Sequence, residues 1–90
     1  MNAIRVYGPN FTDVTAQPDF DVARITAAQV VNDDGEVVIK ASRVNKTWFW
    51  NRTDGSDPRT HLVHDNYLVD RDDAAAYHYA MAELKKAVQR

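Results

Sequence analysis

The chain has 90 residues, of which 44% are hydrophobic, and a formal net charge of -2. That suits one small domain over residues 1–90 with a single core. It excludes a basic nucleic-acid coat or an acidic DNA mimic that works through bulk charge. The lack of cysteine excludes a disulfide framework and a thiolate zinc site, and it fits a reducing compartment.

The N-terminal stretch MNAIRVYGPN has neither the basic run nor the long apolar core of a signal peptide. Nothing in the chain approaches the length of a membrane span. The expectation is a soluble, cytoplasmic protein that does not engage a membrane. Ala3 to Tyr7 alternates as a strand, with Ile4 and Val6 on one face and Arg5 and Tyr7 on the other. Gly8-Pro9-Asn10 ends it as a turn. Phe11 to Asp21 has no period and reads as a surface loop, pinned inward at Phe11, Val14 or Phe20.

Val22 to Val31, Asn32-Asp33-Asp34-Gly35 and Glu36 to Val44 read together as a hairpin. The turn suits a type I geometry at Asp33-Asp34, with Gly35 left-handed in a G1 bulge. Pairing Asn32 with Glu36 sets the register: Val31 faces Val37 and Ala27 faces Ala41. Ile25 and Ile39 then share the apolar face. Arg24, Thr26, Lys40 and Ser42 fall on the opposite face with Val30 and Val38. A helix over Val22 to Val31 is the competing reading.

Thr47 to Asn51 is a further strand, with aromatic residues at its centre. Arg52 to Arg59 is a polar loop with turn signals at Asp54-Gly55 and Asp57-Pro58. Thr60 to Val69 returns as a strand. Asp70 to Gln89 is the strongest element. Ala74, Tyr77, Met81, Leu84 and Val88 recur at helical spacing, Asp70 is a good N-cap with Asp73 behind it, and Lys85 and Lys86 complement the C-terminal end of the dipole. The alanines Ala74 to Ala76 and Ala80 keep the helix slim enough to lie close to a flat surface.

The expected fold is α+β: an antiparallel β-meander of three to five strands packed against one C-terminal α-helix, in two layers. The sheet face away from the helix is left to solvent or a partner.

Trp48-Phe49-Trp50 is the most unusual stretch. On a strand the two tryptophans share a face and Phe49 takes the other. Either the tryptophans are core and Phe49 is the outer anchor, or the reverse. Lys40, Arg43, Lys46, Arg52 and Arg59 surround the triplet, opposed there by Asp54 and Asp57. Aromatic residues framed by cations suit an interface hot spot and also a platform on which bases stack. A sheet followed by a capped helix resembles, in topology alone, the small DNA-binding domains of phage integrase arms and plant response-element factors. In those a sheet reads the groove and a helix backs it.

His61, His64 and Asp65 invite a metal reading. Residues three apart on a strand point to opposite faces, however, so the two histidines do not share an ion easily. There is no Gly-x-Ser-x-Gly and no phosphate-cradling glycine loop, and no nucleophile stands beside a His-Asp pair. No cofactor or metal is expected.

The sequence therefore points to a non-catalytic protein-binding module, such as an accessory subunit or a stoichiometric inhibitor of the kind phages and mobile elements encode. Its expected contact residues are Arg43, Lys46, Trp48, Phe49, Trp50 and Arg52, and self-association into a homo-oligomer is compatible with it. The second reading is a nucleic-acid-binding domain that uses the basic, aromatic sheet face.

Overall fold

The computed structural model describes residues 2–45, 47–63 and 73–88. Strands β1 (Ala3–Tyr7), β2 (Ala27–Val31), β3 (Val37–Val44), β4 (Thr47–Arg52) and β5 (His61–Val63) form one antiparallel sheet in sequence order. Each strand pairs with its chain neighbour, which makes the sheet a meander. Helix α1 (Asp73–Val88) covers one face, so the domain has two layers of α+β type.

The turn between β2 and β3 is the one its residues specify. Gly35 has φ +82°. Its N–H donates to the Asn32 carbonyl at 3.0 Å, and the Asn32 N–H donates to Glu36 at 2.9 Å. The Asn32 side chain also accepts from the N–H groups of Asp34 and Glu36. No atom lies within 4 Å of where a Cβ at Gly35 would stand. A Gly35→Val substitution therefore meets backbone strain alone. The expected loss is about 1 kcal/mol or somewhat more, read as a lower urea midpoint at unchanged slope.

Val31 pairs with Val37, as the turn requires, but the register then shifts. Val30 pairs with Ile39 and Ala28 with Ala41, so Ala27 faces Ser42 and not Ala41. One extra residue on β3 is accommodated in a bulge, and a side-chain period of two converts that single residue into a change of face. Ile39 and Ala41 point to the helix as their alternation suggests, while from β2 it is Ala28 and Val30, not Ala27 and Val31, that join them in the core.

Three further boundaries differ from the sequence reading. Val22–Arg24 is a 3-10 turn, and β2 begins only at Ala27. The Asp21 carboxylate accepts from the Ala23 N–H at 3.0 Å, and this local cap competes successfully with strand pairing. Arg52 is the last residue of β4 and not the first of the loop. The strand expected over Thr60 to Val69 starts at His61, and its continuation beyond Val63 lies outside the described residues, as do the proposed N-cap Asp70 and Lys46.

Trp48 and Trp50 both lie beneath α1, 1% and 7% exposed. The edge of Trp48 meets Tyr77 at 6.1 Å between centroids. The buried residues of the helix are Ala76, Ala80, Met81, Leu84 and Ala87, with Tyr77 and Val88 partly buried. The covered stripe is therefore rotated toward the alanines from the one that the larger residues mark. The reason is volume: two indoles fill the space under the helix, and only small side chains let the backbone approach them. The Trp48 indole N–H has no hydrogen-bond partner among the described residues. Burying an indole of roughly 200 Å² is worth about 5 kcal/mol, against about 1–3 kcal/mol for one unsatisfied donor, so burial wins.

Candidate functional site

The face of the sheet away from α1 is built by strict alternation. Tyr7, Ala27, Ser42, Phe49 and Leu62 are successive cross-strand partners and form one row across all five strands. Beside it runs a second row, Arg5, Gln29, Lys40 and Asn51. On the other side Val44 pairs with Thr47. With strands about 4.8 Å apart, the first row spans roughly 19 Å between its outer strands.

The large hydrophobic side chains left exposed gather on this face. Val44 is 58% and Leu62 55% exposed, and the half-buried Phe49 lies between Ser42 and Leu62. At the β1 end Phe11, 59% exposed, stacks on Tyr7 with ring centroids 4.4 Å apart and an interplanar angle of 18°. Tyr7 in turn donates through its hydroxyl to Gln29 at 3.3 Å. Asn10 and Phe11 both have φ +60°. For an aromatic residue that conformation costs about 1–2 kcal/mol, and here it accompanies a ring held against the sheet. Between the two apolar ends, the small residues Ala27 and Ser42 leave a shallow depression of about 140 Å³ against Phe11 and Lys40.

The charge on these rows has one sign. Arg5 and Lys40 are the ionic residues in the two rows, with no carboxylate among them. Neither forms an ion pair within 4 Å among the described residues. Arg5 lies near enough to Asp13 to act on it. The carboxyl of Asp13 is held below its usual value mainly by the Thr15 hydroxyl and N–H, with Arg5 contributing last.

The expected site residues divide between the two faces. Phe49 is on the outer face; Trp48 and Trp50 are core. Arg43 and Arg52 lie on the helix side, away from Phe49. The Arg43 guanidinium donates to the Ala23 carbonyl at 2.7 Å and pairs with Asp73, in the first turn of α1, at 3.5 Å. The Arg52 guanidinium donates to the Ala87 carbonyl in the last turn at 2.7 Å. These two arginines clamp the ends of the helix, so the expectation that both flank the outer contact does not hold. Strand parity carries the signal: Arg52 shares its face with Trp48 and Trp50, and Arg43 with Ile39 and Ala41. The same parity places Val44 and Leu62 with Phe49, residues that aromatic content alone does not single out. Phe11 is placed by its loop and has no such signal.

His61 stacks on Trp50 at 3.9 Å between centroids, and its Nε2 lies 2.9 Å from Asp57 Oδ2. The Arg59 guanidinium first, and His61 second, hold the Asp57 carboxyl far below its ordinary value. This cluster ties the β4–β5 loop to the sheet. Among the described residues no group of three His, Asp or Glu side chains is placed to hold a metal ion, and no helix is long and apolar enough to cross a membrane. No protein-family model matches the chain, and neither a curated protein nor a solved structure matches it.

Proposed function

We propose that this protein is a non-catalytic binding module that engages another protein through the sheet face opposite α1, with Phe49, Leu62 and Val44 as the contact toward the β4–β5 side and Phe11 at the β1 end. One observation carries the reading: Phe11, Val44 and Leu62, the large hydrophobic residues exposed among those described, gather on the one sheet face that the helix leaves open. A flat apolar row edged by Arg5 and Lys40 suits a protein surface that offers apolar side chains and carboxylates. The absence of cysteine accords with a cytoplasmic accessory subunit or stoichiometric inhibitor. Single-strand binding would lean on cations that follow phosphates. Arg43 and Arg52 are occupied by the helix ends, and the two cations among the described residues of the outer rows, Arg5 and Lys40, correspond to a salt slope of only about 2.

The test is affinity capture from the native host with wild-type protein and with a Phe49→Ala/Leu62→Ala double variant, each with and without nuclease. Binding is then quantified with the purified partner. The expected result is nuclease-resistant capture and at least tenfold weaker binding by the variant, about 1.4 kcal/mol, at a near-wild-type melting temperature. Capture lost to nuclease supports the nucleic-acid reading instead. Undiminished affinity in the double variant moves the site off this face. Self-association through the same row would appear in sedimentation as a concentration-dependent mass that the double variant removes.

A further inference from the structure

The helix side of the sheet is covered unevenly. A helix is about 10 Å across, whereas the sheet spans roughly 19 Å between its outer strands. α1 packs over β4 and β5 and against the Val22–Arg24 turn, which leaves a seam above β1. There Ile4, Val6, Val22 and Met81 form the apolar wall of a groove of about 370 Å³, and Tyr77, His78 and Lys85 line it from the helix. The size lies at the lower end of small-molecule sites. Ile4 and Val6 are half-buried, packed against the core on this side of the sheet.

The polar residues that line the groove are Thr15, Tyr77, His78 and Lys85. Among the described residues no carboxylate lines it. Lys85 has no ion pair among the described residues; the pair on this stretch of helix is Lys86 with Glu83. Burial raises the Tyr77 phenol above its ordinary value, which keeps it a neutral donor, and its hydroxyl makes no hydrogen bond among the described residues. Thr15, at the β1 edge, is already used: its hydroxyl accepts from the Val6 N–H at 2.9 Å. Tyr77, Met81 and Lys85 stand on successive turns, so the helix rises about 12 Å between Tyr77 and Lys85.

We infer that this groove binds a monocarboxylate amphiphile, with its hydrocarbon on Ile4, Val6 and Met81 and its carboxylate against Lys85. A cation at one end of an apolar trough, with no acid among its described lining residues, selects that charge, and an uncharged chain of equal length forgoes the ion pair. This site is on the opposite side of the sheet from the Phe49 row and stands or falls separately from it.

The probes are decanoate, below its micellar concentration, and decanol. Binding is measured by calorimetry and located by methyl NMR. The expected result is saturable decanoate binding that shifts the methyls of Ile4, Val6 and Met81 and leaves those of Val44 and Leu62 unchanged. Decanol is expected to bind at least tenfold more weakly. Lys85→Glu, at an exposed position, is expected to lower decanoate affinity at least tenfold while the melt stays cooperative. Absence of binding, equal affinity for decanol and decanoate, shifts confined to Val44 and Leu62, or an unaltered affinity in Lys85→Glu would each overturn the proposal.

Discussion

Leu84→Asp is expected to abolish cooperative folding, whereas Lys85→Asp, the next residue, costs only about 1 kcal/mol and leaves the fold intact. Leu84 is 1% exposed and sits in the core with Trp48, Ile39 and Val30. Truncating a leucine in such a place costs about 2–5 kcal/mol, and an unpaired carboxylate adds several more. The sum matches or exceeds the lower end of the roughly 5–15 kcal/mol that domains possess, and a chain this small stands near that end. Lys85 is exposed, and its charge reversal exchanges a favourable interaction with the helix C-terminus for an unfavourable one, each worth a few tenths of a kcal/mol to about 1 kcal/mol. Thermal melts followed by far-UV circular dichroism decide the matter. A cooperative, near-wild-type transition for Leu84→Asp would mean that α1 presents a different face to the sheet.

Arg43→Ala is expected to cost about 2–3 kcal/mol, a large penalty for a charged residue in a small domain. Its side chain is only 16% exposed and joins two elements, the Ala23 carbonyl of the 3-10 turn and the Asp73 carboxylate of α1. A hydrogen bond to a charged group contributes about 1.5–3 kcal/mol, and removal of the arginine leaves Asp73 without its cation. Arg43→Lys should recover only part of the loss, because Nη1 makes both contacts from the end of a longer, planar group whose reach an ammonium does not reproduce. A urea titration of Arg43→Ala, Asp73→Ala and the double variant checks the pair. Coupling below about 0.5 kcal/mol would show that the Asp73 contact contributes nothing. The companion clamp, Arg52 on the Ala87 carbonyl, acts at the other end of the helix, so the two substitutions should be close to additive.

The candidate surface also depends on these clamps. Arg43 and Arg52 hold α1 over Trp48 and Trp50, and that leaves Phe49 as the outward member of the triplet. Cations that look like contact residues in the linear sequence act through the position of the helix. Charge reversal at either one would change folding and binding together, which is why the binding test above uses Phe49 and Leu62.

Local chemistry in the sequence was sufficient for the helix, the β1 alternation and the Asn32–Gly35 turn. The turn demands a left-handed residue at Gly35 and helical spacing marks Met81 and Leu84, and each of these forces acts between residues near in sequence. The opposite placement of Phe49 and the two tryptophans is of the same kind, since adjacent residues on a strand always part. The tertiary structure alone decided the rest. The extra residue accommodated between β2 and β3 chose Ala28 and Val30 for the core, because a slip of one position inverts a face and no short-range rule sets where the slip occurs. The Asp21 cap and the reach of Arg43 turned Val22–Arg24 out of the strand. Which sheet face became the surface followed from where a slim, alanine-lined helix could settle on two indoles, a matter of volumes that meet only after the chain has folded.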